Sequence, residues 1–147
     1  MTQVFEYSIE ADLENLKQAR SFIESSGNSL GVKSDTLGDL CLVVDEAVTN
    51  IILHGYDGCD GTVDLQMERD GDSIVISIRD AAKSFDAADV ETPHLETSLR
   101  EREFGGMGVF LIRKLTDEAE FRTLPAGGNE LRLVKRRAFT SGSRNPP

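Results

Sequence analysis

Between Leu37 and Ile78 the apolar residues keep two different periods in succession. Leu37, Leu40, Cys41, Val44, Val48, Ile51 and Ile52 recur every three or four residues, which lines one face of a helix of about five turns up to Gly55. Val63, Leu65 and Met67, and then Ile74, Ile76 and Ile78, instead alternate with polar residues, which puts one set of side chains on a core and the other in water. Strands that are apolar on one side need cover on one face only. A long one-faced helix beside such strands therefore predicts an α+β fold: a two-layer sandwich with a mixed, mostly antiparallel sheet and helices on one face. At 147 residues the chain has the length of one core.

The remaining segments fit that plan. Val4 to Glu10 alternates and reads as a first strand. Residues 13–26 read as a helix capped by Asp12 and closed by Gly27, and Ser34 or Asp35 is placed to cap the long helix. Asp70-Gly71 between two alternating runs predicts a tight hairpin with positive φ at both central positions. Residues 81–105 hold no sustained period and carry Pro93 and many charges, an irregular length that is uncommon without a function. A short helix over 106–116 and strands near 118–124 and 129–135 complete the order. The expected organisation is one domain over 1–138 and a flexible polar tail over 139–147.

Charge narrows the partners. Sixteen basic against 26 acidic residues leave −10, a field that repels phosphate backbones and anionic lipids and favours a basic protein partner. Nucleic acid and membrane are accordingly not expected as partners. No apolar run reaches membrane-spanning length and the N-terminus lacks a leader pattern, so the expected location is cytoplasmic. Cys41 and Cys59 form neither a disulfide framework nor a zinc-ligand spacing, and Cys41 reads as a core residue.

Three features could carry chemistry. Glu46 and Asn50 lie one turn apart on a flank of the long helix, where the acid could take a proton and the amide oxygen could meet a hard cation such as Mg²⁺ without adding charge. A solvated helix flank would show the same spacing. Asp80 ends an isoleucine-rich strand and is followed by small residues (Ala81, Ala82, Ser84), so a flat ring could approach while the carboxylate accepts from an exocyclic amine. A plain strand end with a turn is the alternative there. Gly105-Gly106-Met107-Gly108 opens an apolar helix, and free backbone N–H groups at a helix start suit phosphates, although the run matches neither the P-loop nor the dinucleotide fingerprint. No Gly-x-Ser-x-Gly or HExxH occurs, which disfavours nucleophilic or zinc hydrolases.

In this order the three features resemble the GHKL, or Bergerat-fold, ATP-binding domains, and the run Asp45-Glu46-Ala47-Val48-Thr49-Asn50-Ile51-Ile52-Leu53-His54-Gly55-Tyr56 is similar to the N box of their anti-sigma-factor serine/threonine kinase branch. Asp80 to Asp86 resembles the G1 box, and Phe104 to Asp117 with Gly128-Asn129-Glu130-Leu131 resembles the G2 box and closing strands. The resemblance implies Glu46 as the general base and Asn50 as the ligand of a Mg²⁺ bridging the ATP phosphates. It implies Asp80 as acceptor for the adenine amine, with Ala82, Phe85 and Asn129 around the base and Gly106, Met107 and Gly108 at the phosphates. Residues 87–104 would form the ATP lid.

As partners the resemblance implies a STAS-type anti-anti-sigma antagonist that is phosphorylated, a sigma factor that is sequestered, and a second copy in a homodimer. Two positions depart from the family pattern: Ala82, where glycine is usual, and Phe104, where the best-known members carry arginine. These departures carry the alternative reading, a partner-switching adaptor that binds nucleotide but is weak or inactive in transfer.

Overall fold

The computed structural model describes residues 3–82 and 106–140, with Gly106, Met107 and Gly108 described through their backbone alone. Strand β1 (Val4–Glu10) leads through a 3₁₀ turn (Leu13–Asn15) into α1 (Leu16–Leu30) and then α2 (Ser34–Asn50). A π-helical turn (Ile51–Tyr56) continues α2, and the hairpin β2 (Thr62–Asp70) and β3 (Ser73–Asp80) follows. Helix α3 (Gly106–Leu115) then precedes β4 (Glu118–Thr123) and β5 (Asn129–Lys135). The sheet order is β1-β2-β3-β5-β4, and all four neighbouring pairs are antiparallel.

Alternation along the strands does what the sequence demands. Ile9, Val63, Leu65, Met67, Ile74, Ile76, Ile78, Leu131 and Leu133 are buried and join the apolar faces of α1 and α2 and Ile112 of α3 in one core. Each such side chain contributes about 1.5–3 kcal/mol of transfer free energy. Glu6, Ser8, Asp64, Arg79, Arg122 and Arg132 point out of the other face and are exposed. The hollow described below lies between this core's helices and the β3–β5 end of the sheet.

Several local expectations shift. Helix α1 does not close at Gly27 but runs on to Leu30, where Gly31 takes φ +89° and its N–H bonds to Gly27 O at 3.0 Å. Gly27 is buried inside the helix because a Cβ there would run into Leu37 of α2, so its missing side chain serves helix packing rather than termination. The N-cap of α2 is Lys33, not Ser34 or Asp35. Asp35 Oδ1 instead accepts from Thr36 N at 2.8 Å within the first turn. The hairpin turn is Gly71-Asp72, between paired Asp70 and Ser73, and only Gly71 has positive φ (+60°), the pattern of a type II′ turn.

The chain beyond β5 also differs from the expected frayed tail. Ala138 is buried and Phe139 is 8% exposed within the core. Lys33 N donates to Ala138 O at 2.9 Å, Ala138 N donates to Asp72 O at 3.0 Å, and the Arg69 guanidinium lies 3.5 Å over the Phe139 ring. The segment thus straps the start of α2 to the β2–β3 turn, and the domain extends past residue 138 to include Phe139. Residues 141–147 lie outside the described part.

Candidate functional site

Asn50, Asp80 and Asn129 come together in the wall of one hollow, completed by Val109 and Ile112 of α3 and Phe121 of β4. These polar residues are far apart in sequence, and three different elements deliver them. Asn50 is the last residue of α2, Asp80 the last of β3 and Asn129 the first of β5. The cavity volume is about 20 Å³, room for roughly one water. A nucleotide is far larger than this space, which is partly open to solvent rather than sealed.

The β3–β5 register explains the meeting of Asp80 and Asn129, which are directly paired. Asp80 is 9% exposed, and its Oδ1 accepts from Ala82 N and from Asn129 Nδ2, both at 2.9 Å. Asn129 Nδ2 also donates to Ala82 O at 3.3 Å. Gly128 makes this approach possible: at φ +90° it lies so close that a Cβ would strike the Asp80 carbonyl oxygen. Among the described residues three buried side-chain polar atoms lack a partner, and two of them, Asn50 Nδ2 and Asn129 Oδ1, belong to residues of this wall. Leaving such groups unmet costs about 1–3 kcal/mol each, a cost that a polar molecule pairing them would recover, while the rest of the wall (Ala47, Ile51, Val109, Ile112, Phe121, Leu131) is apolar.

Ala82 lies outside the wall. It is 4% exposed, and a Cβ added to Gly55 would come within 3.2 Å of its methyl, so the methyl packs against the helical continuation of α2. Only its backbone takes part, through the carbonyl that Asn129 reaches. Glu46 is half-buried on α2 one turn before Asn50, next to the lining residue Ala47 but not itself in the wall. Helix α3 begins at Gly106, which directs the unpaired N–H groups and positive end of a ten-residue helix from the Gly106-Met107-Gly108 run. Phe85, Phe104 and the expected lid over 87–104 lie outside the described residues.

Tyr56 carries a role that sequence reasoning missed. Its hydroxyl accepts from Ala81 N at 2.8 Å and donates to Thr62 O at 2.6 Å. The available signal was an aromatic with a polar tip just past Gly55, where the helix was expected to end. On the outer sheet face Glu130, its side chain 3% exposed, accepts from Arg79 Nε and from Arg122 Nε, the latter at 2.7 Å. Burial works to raise the Glu130 carboxyl, but the two guanidiniums outweigh it and hold the group below the ordinary glutamate value. Burial pushes the Cys41 thiol up to about 11, with Glu24 adding to it, so Cys41 is a protonated packing group at neutral pH.

Among the described residues no group of three His, Cys, Asp or Glu is placed to cage a metal. The donor set suits a cation held lightly. The amide of Asn50, a wall residue, would fit Mg²⁺, a hard cation that takes oxygen ligands and keeps several of its waters. No helix of the described residues is long and apolar enough to cross a membrane.

Comparison with known proteins bears on the family and the fold. The family profile described as "Histidine kinase-like ATPase domain" matches residues 9–135. The anti-sigma F factor of Bacillus subtilis is 30% identical over 83% of this chain and 84% of its own length. The serine-protein kinase RsbW of Oceanobacillus iheyensis is 30% identical over 78% of this chain and 76% of its own. Among solved structures, one containing the RsbU and RsbW domains of a Mycobacterium tuberculosis protein superposes with TM-score 0.65 at 18% identity. That match covers 95% of this chain, which spans 35% of the solved one, and shows a shared fold.

Proposed function

The chain belongs to the histidine kinase-like ATPase family, and from that premise we propose that it is an ATP-binding regulatory serine/threonine kinase of the anti-sigma type. It transfers the γ-phosphoryl group of ATP to a hydroxyl on a small STAS-type antagonist and, in its other state, sequesters a sigma factor. The observation that carries the proposal is the convergence of Asn50, Asp80 and Asn129, with Val109 of α3, on one hollow, and the unmet polar atom that each of the two asparagines keeps. The names of the relatives supply the class of partner. An acidic chain acting on a basic protein surface, in the cytoplasm, fits the net charge of −10.

In this reading each residue has one task. Asp80 accepts from the exocyclic amine of adenine, and Asn129 holds that carboxylate in place through the 2.9 Å bond to Oδ1. Asn50 presents its amide to the phosphates and the associated cation. The backbone N–H groups at the start of α3 meet phosphate oxygens. Mg²⁺ held there would supply positive charge that offsets the negative charge developing during transfer. Glu46 accepts the proton of the attacking hydroxyl. Ala82 does not crowd the base, because its methyl is turned toward Gly55.

The position of Glu46 beside rather than in the wall favours one second reading, a nucleotide-binding partner switch that transfers nothing. Incubation with labelled MgATP and the antagonist separates the two. Label on the antagonist that disappears in Glu46→Ala supports the kinase, whereas stabilisation by MgADP with no transfer supports the switch.

A further inference from the structure

We infer that Tyr56 is a positioning residue that sets the base-reading end of the hollow and with it the preference for a 6-aminopurine over a 6-oxopurine nucleotide. The inference rests on the adenine-nucleotide reading above and adds the device that makes Asp80 selective. Tyr56 belongs to the π turn that extends α2, in which Asp57 N reaches back five residues to Ile52 O at 3.2 Å. Such a turn holds one more residue than an α turn, so side chains after it are rotated by about one residue's step, roughly 100°. The turned ring is 6% exposed and seated on Gly61, where a Cβ would fall onto the ring itself.

From that seat the phenol oxygen bridges two backbones. It accepts from Ala81 N at 2.8 Å and donates to Thr62 O at 2.6 Å. The Ala81 amide belongs to the peptide unit that leaves Asp80, so fixing it fixes the direction from which the Asp80 carboxylate enters the hollow. Asn129 acts on the carboxylate from β5, and Tyr56 acts on its backbone from the helix. The same continuous helix carries Asn50. Tyr56 therefore sets the distance between the wall that reads a base and the wall that faces phosphates. Discrimination between an amine and an oxo group depends on an acceptor held within about 0.5 Å of its working position.

Calorimetric titration of the full chain with MgADP and with MgIDP reads this preference. Wild-type protein should favour ADP by about tenfold or more, and folded Tyr56→Phe should bring the ratio to within about threefold by weakening ADP while leaving IDP nearly unchanged. Loss of affinity for both nucleotides in equal proportion, or a wild-type ratio in folded Tyr56→Phe, overturns the inference. Gly61→Ala, which keeps the hydroxyl but displaces the ring, should lower the ratio as well and serves where Tyr56→Phe does not fold. Amide hydrogen exchange gives a reading without nucleotide: Ala81 N–H should exchange at least about tenfold faster in Tyr56→Phe while Ile76 in mid-strand does not change. Equal Ala81 rates overturn the inference alone. A wild-type chain that does not distinguish ADP from IDP overturns the adenine reading and this inference with it.

Discussion

Asp80 and Asn129 stand opposite each other in the β3–β5 ladder, and the Asn129 amide donates to Asp80 Oδ1 at 2.9 Å. One register step away, and on the opposite sheet face, Arg79 stands opposite Glu130. A slip of one residue would exchange the two faces, so the ion pair outside and the amide–carboxylate pair inside specify the same alignment.

The inner pair gives the first prediction. Asn129→Ala removes a hydrogen bond to a carboxylate, an interaction worth about 1.5–3 kcal/mol, so MgADP affinity should fall by at least about tenfold. Calorimetry on the folded variant checks it. Unchanged affinity would mean that Asp80 needs no support from β5.

The outer pair gives a pH dependence. The folded Glu130 carboxyl sits below the ordinary 4.5, so its stabilising effect is complete above that value and is lost as pH falls through the lower folded value. Glu130→Gln should cost about 1–2 kcal/mol at pH 7, a modest figure because both guanidiniums remain half-exposed to water. Urea unfolding from pH 7 to pH 3 should show the gap between wild type and Glu130→Gln holding steady to about pH 5 and narrowing below 4.5.

Adjacent glycines on the β4–β5 connection should respond differently. Gly127 (φ +100°) has open space where a Cβ would go, so Gly127→Ala should cost only the conformational strain, about 1–2 kcal/mol. Gly128 (φ +90°) has the Asp80 carbonyl there, and Gly128→Ala should cost at least about 1–3 kcal/mol more through the forced backbone shift. Denaturant midpoints rank the two, and equal losses would contradict the close approach.

How far this was legible in the sequence depends on whether a feature is periodic or a contact between distant residues. The alternation at Val63/Leu65/Met67 and Ile74/Ile76/Ile78 and the stripe from Leu37 to Ile52 reproduce the observed core, because a period of two or 3.6 leaves a local trace. The β1 and β5 limits follow for the same reason. Gly27 misled because a glycine that admits Leu37 looks in sequence like a glycine that ends a helix. Phe139 was left in the tail because its partners, Val32 and Arg69, lie over a hundred and about seventy residues away in the chain. The order of motifs had singled out Asn50, Asp80 and Asn129, which line one hollow, whereas Tyr56 escaped because it bonds to two backbone groups that no side-chain pattern encodes.

The strap at the end of the chain carries its own prediction. Phe139→Ala empties a core position and removes a cation–π contact, and should destabilise the domain by about 3–5 kcal/mol. Thermal unfolding would show a drop of several degrees or more; a change within about 0.5 kcal/mol, the size expected of an exposed tail, would contradict the strap.

The central claim is that the hollow between Asn50, Asp80 and Asn129 takes an adenine nucleotide. Its most direct measurement is titration of the wild-type chain and of Asn50→Ala and Asp80→Ala with MgADP, each variant first shown to be folded. The expected result is saturable one-site binding by wild type, weakened at least about tenfold by either substitution. Wild-type protein that does not bind MgADP at millimolar concentration, or substituted proteins that bind it as tightly as wild type, would contradict the account.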